Sequence, residues 1–244
     1  MIKTEDSKVV RDYLKKYELE TLNLAGIIDN VKDAQIYTDS LQNPTGVLVR
    51  YKYFNYIHTE NINFINDMFN ELFPPGKYGF AGTTRFISAQ IKKHFAIDWE
   101  NDCDFYYIPK ENYDRVSLKS NVKSIDINDA KYIDDYYNHK NSHTLYEIQY
   151  AIENRPSSAI YIDDKIASWV LVHEDASLGI MYTLEEHRGK GFALDVATDL
   201  SKKIIDTGKI PFLQIISTNT MSPSLAKKIG FIKKFEADWF GIII

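Results

Sequence analysis

The chain has 244 residues, of which 44% are hydrophobic and 26% charged, and its formal net charge is −5. This length can hold one large domain or two smaller ones, and the acidic balance argues against a general nucleic-acid-binding surface. Cys103 is the sole cysteine, which excludes an intramolecular disulfide and a cysteine-rich zinc site.

Metal and membrane partners are not expected. The six histidines show no metal-ligand spacing, so we predict no metal. The first residues lack an apolar signal region, and no run of about 18 apolar residues occurs. We therefore expect a cytoplasmic protein, either a monomer or a homodimer.

The first half of the chain alternates between helix and strand patterns. The patterns predict helices over 7–17 and 20–30, a strand over 46–56, a helix over 62–73, a strand near Tyr78, a helix over 84–95 and a strand over 105–108. Pro74-Pro75-Gly76 marks the end of the third helix.

The second half repeats that order. A helix over 144–154 precedes strands over 158–162, 167–173 and 178–184, a further helix, a strand over 212–217, a helix from Ser222 and a strand over 235–244. Residues 112–118 are the predicted boundary, which gives domains 1–117 and 118–244. The repeated order suggests a diverged duplication.

A basic, glycine-bearing turn connects the strand over 178–184 to the helix that follows. That helix has one apolar face, formed by Ala193, Val196, Ala197, Leu200 and Ile204. A helix N-terminus carries unpaired N–H groups and about half a positive charge, and Gly189 and Gly191 let a phosphate approach the backbone. Three or four hydrogen bonds to a charged group, at about 1.5–3 kcal/mol each, approach the roughly 8 kcal/mol of micromolar affinity.

Two common phosphate loops do not fit this turn. A P-loop requires Gly-Lys-Ser/Thr, whereas Gly191 follows Lys190 here, and a dinucleotide fingerprint requires a third glycine where Leu194 stands.

A second motif follows downstream. After the predicted strand over 212–217, residues 219–231 read Asn-Thr-Met-Ser-Pro-Ser-Leu-Ala-Lys-Lys-Ile-Gly-Phe. Ser222 followed by Pro223 is typical of a helix start, with Ser222 as the N-cap, and Gly230 marks its end.

Both motifs resemble those of the GNAT superfamily of N-acetyltransferases. The run Glu186-His187-Arg188-Gly189-Lys190-Gly191 is similar to the Gln/Arg-x-x-Gly-x-Gly/Ala loop that binds acyl-coenzyme A, with Glu186 as the departure, and residues 219–231 are similar to the second GNAT motif. Ser168-Trp169-Val170-Leu171 and residues 182–188 resemble the glycine N-acyltransferase-like, or FR47-like, branch.

The resemblance implies a fold, a cofactor and a site. The fold is α+β with a mixed sheet, preceded by a degenerate GNAT-like half whose junction over 57–62 has no glycine, carries an acid and has lost cofactor binding. The cosubstrate is acetyl-CoA or another acyl-CoA. The implied cofactor-binding residues are Met181, Thr183, Arg188, Gly189, Lys190, Gly191, Phe192, Ala193, Asn219 and Ser222.

The predicted reaction is transfer of an acetyl or short acyl group from coenzyme A to a primary amine of a small molecule or peptide. An amine with a pKa near 10.4 must lose a proton before attack, and N–H groups near Met181 and Tyr182 are the family-like donors to the oxyanion. The strand over 178–184 carries no carboxylate, and the position used by glycine N-acyltransferases falls on Ser177. Glu174 and Asp175 are interpreted as solvated hairpin residues.

The remaining catalytic assignments are sparse. The family's motif tyrosine is Ala226 here, which leaves Tyr182 as the candidate acid and no assigned base. His143, Glu147 and Tyr150 lie on a segment that borders the acceptor groove in GNAT folds, although a surface or core role is the simpler interpretation. The alternative function is a non-catalytic acyl-CoA-binding or regulatory protein.

Overall fold

The structure, a computed structural model, describes residues 1–113 and 117–244. Its contacts divide the chain into two units. Unit 1 comprises residues 1–105, 214–218 and 234–244, and unit 2 comprises residues 106–213 and 219–233. The predicted boundary over 112–118 includes residues 114–116, which lie outside the described residues.

Helices and strands alternate along most of the chain. The helices are α1 (Lys8–Lys16), α2 (Leu22–Asn30), α3 (Ile62–Leu72), α4 (Arg85–Lys92), α5 (Ala130–Tyr136), α6 (Thr144–Asn154), α7 (Phe192–Asp206) and α8 (Ser222–Ile229). The strands are β1 (Ile2–Thr4), β2 (Gln35–Thr38), β3 (Gly46–Tyr51), β4 (Phe54–Thr59), β5 (Lys77–Thr84), β6 (Ala96–Tyr107), β7 (Ser157–Ile162), β8 (Lys165–Val172), β9 (Leu178–Thr183), β10 (Phe212–Ile216) and β11 (Ile232–Ile243).

Unit 1 is built on a mixed sheet with the strand order β1-β2-β3-β4-β5-β11-β6-β10. β4 and β5 are parallel and pair only at Phe54↔Gly79 and Asn55↔Phe80. Phe64 and Met68 of α3 and Ile87 of α4 pack in one buried cluster with residues of the strands, namely Leu48, Ile57 and Phe80. The unit therefore contains the strand-helix-strand-helix order expected for the first half.

The single strand predicted over 46–56 is wrong, because the segment forms the β3–β4 hairpin. Lys52 occupies the turn with a φ of +51°. The turn has no glycine, proline or asparagine, so the usual hairpin signal is missing from the sequence. The short strands β1 and β2 and the seven-residue helix α5 were also not predicted.

β11 lies between β5 and β6 and completes the sheet of unit 1. It pairs antiparallel to β5, from Ala237↔Thr84 to Ile243↔Lys77, and buries Phe240 and Ile242 completely. The units therefore differ from segments 1–117 and 118–244, because the pattern of a strand does not reveal its distant partner. That residues 1–117 and 118–244 form two independent domains stays a prediction.

Unit 2 contains a three-stranded antiparallel sheet in the order β7-β8-β9. On one face, Trp169 and Leu171 pack with Ile133 of α5 and Ile148 of α6. The other face carries Ser158, which pairs with Val170 in register and donates a hydrogen bond to Asp199 of α7 at 2.6 Å. The two faces are thus covered by different helices, and β9 is left as an edge strand of this sheet.

Within the part of the chain that the structure describes, no helix combines the length and the apolar character needed to cross a membrane.

Candidate functional site

The turn before α7 has the backbone geometry that its glycines predict. Gly189 and Gly191 have φ values of +77° and +87°, a region that other residues adopt only with strain. Gly191 is the N-cap of α7 and provides no side-chain hydrogen bond. A Cβ atom built at either glycine would meet no heavy atom within 4 Å, so the space above the turn is open.

The backbone amides of this turn have no acceptor among the described residues. Arg188 donates its N–H to Glu185 and Asp195 donates to Gly191, but no described acceptor pairs with the amides of residues 189–193. The unpaired donors coincide with the positive end of the 15-residue helix α7. The turn can therefore accept an anion on its backbone.

The two basic side chains of the turn have different surroundings. Arg188 folds back on the strand end, where its guanidinium donates to the Thr183 carbonyl at 3.2 Å and to the Tyr182 hydroxyl at 3.3 Å. Lys190 is exposed and lies 3.2 Å from Nδ1 of His187. Arg188 thus connects the turn to β9, whereas the ammonium group of Lys190 is exposed at the surface.

β9 contains a bulge just before the turn. Trp169 pairs with Tyr182 and Leu171 pairs with Gly179, so Ile180 and Met181 together oppose Val170. Ile180 has a φ of +50°, an uncommon conformation for a β-branched residue. A bulge leaves its extra residue out of the ladder, which frees backbone polar groups beside the exposed Met181.

The side chains beyond the bulge contact other parts of unit 2. The Tyr182 ring packs on Trp169 and Tyr136, with centroids 5.4 and 5.0 Å away. The Thr183 hydroxyl lies 2.8 Å from that of Ser168. The predicted roles of Tyr182 as an acid and of Met181 and Thr183 as cofactor-binding residues stay predictions.

Asn219 closes the turn before α8, where its side-chain oxygen accepts hydrogen bonds from the N–H groups of Met221 and Ser222 at 3.1 and 3.0 Å. Ser222 is the first residue of the helix, so its predicted N-cap role is wrong. The helix begins one residue earlier than the Ser-Pro pattern predicts, so Met221 is the N-cap and no side chain caps α8. Cofactor binding by Asn219 and Ser222 stays a prediction.

The β8–β9 hairpin differs from the solvated turn that we expected. Asp175 and Ser177 are only 3% and 6% exposed, and Oδ1 of Asp175 accepts hydrogen bonds from the Ser177 hydroxyl at 2.6 Å and the Ser177 N–H at 3.0 Å. Oδ2 of Asp175 is buried without a hydrogen-bond partner among the described residues. The Asp-Ala-Ser spacing is compatible with a tight turn but does not reveal burial.

His173 precedes this turn and was not singled out by the sequence. Its ring lies directly over Gly179, where a Cβ atom would overlap Nε2. Burial lowers the pKa of His173, Asp175 and Glu147 counteract that effect, and Arg155 and His139 reinforce it. The imidazole is therefore neutral at pH 7 and can accept a proton.

The other candidate groups contribute little to the site. Ala226 is buried in α8, and its carbonyl accepts from the N–H groups of Gly230 and Phe231. Burial raises the pKa of the Cys103 thiol to about 12, which makes it a poor nucleophile. In residues 1–113 and 117–244, no group of three or more His, Cys, Asp or Glu side chains is placed to hold a metal ion.

Comparison with known proteins identifies the type of fold around this site. Residues 151–240 match the family model of FR47-like proteins. The match includes the β8–β9 hairpin, the glycine turn and α8. None of the curated proteins matches this chain in sequence.

Solved structures match almost the whole chain. A Drosophila protein of known crystal structure has a TM-score of 0.82 at 14% identity and covers 99% of this chain and 98% of its own. A tandem GNAT protein from the clavulanic acid biosynthesis pathway, solved without AcCoA, has a TM-score of 0.61 at 8% identity, with coverages of 99% and 97%. A GNAT-family acetyltransferase from Colwellia psychrerythraea has a TM-score of 0.59 at 10% identity, with coverages of 99% and 100%.

These likenesses agree with the motifs read from the sequence. The chain has the fold of the GNAT acetyltransferases, and its C-terminal part resembles FR47-like proteins. The predicted α+β fold with a mixed sheet is confirmed.

Proposed function

We propose that this chain, which has the GNAT fold, transfers an acetyl or short acyl group from coenzyme A to a primary amine of a small molecule or peptide. The observation that carries the proposal is the open N-terminus of α7. Unpaired amides, two left-handed glycines and an exposed lysine meet there, and all three suit a diphosphate.

The bulge in β9 supports the acyl-transfer part of the proposal. It lies on the strand that connects the β8–β9 hairpin to the glycine turn, and the proposal places the thioester beside it. Backbone N–H groups released beside Met181 would stabilise the oxyanion that forms when an amine attacks the thioester carbonyl. Direct attack in a ternary complex requires no covalent intermediate on the enzyme.

A non-catalytic acyl-CoA-binding protein is the second candidate. The observation in its favour is that β9 carries no carboxylate and that Ala226 stands where the GNAT motif has a tyrosine. Both candidates require coenzyme A binding. They differ in amine-dependent thiol release.

Binding is tested by titrating the protein calorimetrically with acetyl-CoA. We expect Gly191→Asp to abolish binding, because the carboxylate would occupy the position of the diphosphate. Gly208→Asp is the matched control, since Gly208 has a similar φ of +78° and equally open space but lies beyond the C-terminus of α7. Equal acetyl-CoA affinity in the two variants would contradict the proposed site.

Catalysis is tested by measuring thiol release from acetyl-CoA with a panel of primary amines. Amine-dependent release supports the transferase, and tight binding without release supports the non-catalytic candidate. The same assay with longer acyl-CoA esters defines the chain length.

A further inference from the structure

The site described so far lacks a group that removes the proton from the attacking amine. β9 contributes no carboxylate, and Tyr182 packs against Trp169 and Tyr136 on the side of the bulge nearer the turn. The β8–β9 hairpin on the opposite side of the bulge contains a histidine, an aspartate and a serine within five residues.

His173 has the position that this task requires. His173 continues the β8–β9 ladder through its N–H bond to the Ser177 carbonyl, and its ring lies on the same sheet face as Gly179. Gly179 is two residues before Met181, a separation of about 6–7 Å along a strand and less across a bulge. An amine nitrogen about 3 Å from the thioester carbon would therefore lie within reach of Nε2, directly or through one water molecule.

The glycine at 179 is what brings the ring to this place. A Cβ atom there would overlap Nε2 and Cδ2 of His173. Gly179 is not among the glycines with positive φ, so its backbone does not require a glycine. The absent side chain therefore serves to accommodate the imidazole.

Asp175 supplies the charge that a protonated His173 would need. The residue is only 3% exposed, and Oδ2 is buried with no hydrogen-bond partner among the described residues. An ionised buried oxygen without a partner is costly, and that cost falls when a positive charge appears nearby. Protonation of His173 creates such a charge.

The charged groups near the His173 ring have opposite effects on its protonation. Arg155, which follows α6, donates to the Val172 carbonyl at 2.9 Å and disfavours the protonated ring, as does His139. Glu147 of α6 and Asp175 favour it. Glu174 acts on Arg155 and so lies near the same cluster.

We propose that His173 is the general base of the reaction and that Asp175 is its positioning residue, a role that rests on the proposed transferase function. Nε2 takes one proton from the ammonium form of the acceptor, and the freed lone pair attacks the thioester carbon. Collapse of the tetrahedral intermediate forms the amide and breaks the C–S bond. The departing thiolate takes a second proton from the nitrogen, and His173 returns its proton to water.

The experiment compares His173→Gln, Asp175→Asn and Gly179→Ala with the wild-type chain. The matched control is His94→Gln, because His94 is exposed at the end of α4 in unit 1. Each variant is titrated with acetyl-CoA and assayed for thiol release with the best amine of the panel and with hydroxylamine, which is uncharged at pH 7.

We expect all variants to bind acetyl-CoA within about 3-fold of the wild type. His173→Gln should reduce kcat with the amine at least about 100-fold, which is the usual contribution of a general base, but reduce the hydroxylamine rate less than 10-fold. Gly179→Ala should also reduce kcat with the amine, because it displaces a ring that is still present. Asp175→Asn should move the ascending limb of the pH profile to lower pH.

The ionisation of His173 is followed separately by NMR of its imidazole in the full-length chain. Asp175→Asn should lower the pKa of His173, whereas His94→Gln should leave it unchanged. An unchanged pKa in Asp175→Asn would overturn the role of Asp175.

Failure of this assignment can be distinguished from failure of the proposed function. Wild-type turnover that survives in His173→Gln, with an unaltered pH profile, overturns only the role of His173. Acetyl-CoA binding without thiol release from any amine overturns both the transferase and its base.

Discussion

Each unit contains a junction at which a strand leads into a helix, and the two junctions differ in how the helix N-terminus is satisfied. At the β4–α3 junction of unit 1, Asn61 caps the helix by accepting the N–H of Asn63 at 3.0 Å. At the β9–α7 junction of unit 2, the N-cap is Gly191 and no side chain caps the helix. One junction is closed by its own chain and the other is open to a ligand.

The surrounding side chains reinforce this difference. His58, near the end of β4, is buried, with Nδ1 2.9 Å from the Tyr13 hydroxyl and Nε2 2.9 Å from Glu20. Glu60 accepts a hydrogen bond from Tyr17 at 2.6 Å. The comparison teaches that a strand followed by a helix is not sufficient to leave backbone donors unpaired, because the chain itself can cap the helix.

The largest expected effect concerns whether residues 1–117 fold without the rest of the chain. A fragment comprising residues 1–117 lacks β11, and with it the completely buried Phe240 and Ile242. We expect this fragment to show no cooperative unfolding transition by circular dichroism. A cooperative transition would instead make residues 1–117 an independent domain, as the sequence predicts.

The next prediction tests the backbone conformation at the β9–α7 junction. The double variant Gly189→Ala, Gly191→Ala adds no charge, but each alanine pays about 1–2 kcal/mol to adopt the left-handed conformation. We expect acetyl-CoA affinity to fall about 30-fold or more in a calorimetric titration. Gly208→Ala is the control, because Gly208 is also left-handed but lies beyond the C-terminus of α7. A similar loss of acetyl-CoA affinity in Gly208→Ala would show that the effect does not depend on the glycine turn.

The closed junction should make stability depend on pH. Burial lowers the pKa of His58, and the interaction with Glu20 only partly offsets this effect. Because the unfolded chain then binds the proton more readily, stability should decrease as the pH falls below about 6.5, by at most about 1.4 kcal/mol per pH unit for this residue.

Urea denaturation at a series of pH values measures this slope. His58→Gln should flatten it below pH 6.5. His173, whose pKa is also lowered, contributes in the same direction, so the slope should not vanish. An identical slope in His58→Gln would show that folding does not lower the pKa of His58.

The smallest effect distinguishes a structural cap from a binding site. Asn61→Ala should lower the free energy of unfolding by about 1 kcal/mol, the usual value of a cap. Acetyl-CoA affinity should not change, since this N-terminus is not expected to bind the cofactor. Weaker acetyl-CoA binding in Asn61→Ala would assign a ligand to the first junction.

Local patterns predicted most helices and the glycine turn. The apolar periodicity around Val196 and Leu200 depends only on residues that are close in the chain, and so does the conformation of Gly189 and Gly191. The sequence alone therefore reveals both features. The same holds for α3, whose predicted range of 62–73 differs by one residue from the observed helix.

Features that depend on distant contacts were not predictable. The partner of β11 is set by pairing across more than 150 residues, and the burial of Asp175 depends on packing around the hairpin. The His173 ring lies over Gly179 because of strand register, which a single sequence does not specify. The candidate base was therefore missed, whereas the conformation of the glycine turn was not.

The position of β11 has a consequence for synthesis on the ribosome. Residues 1–105 emerge first, but the strand that belongs between β5 and β6 begins only at Ile232. At roughly 5–20 residues per second, translation of residues 106–231 takes about 6 to 25 s. During that interval the nascent sheet exposes unpaired strand edges, which makes the incomplete polypeptide a natural client for chaperones.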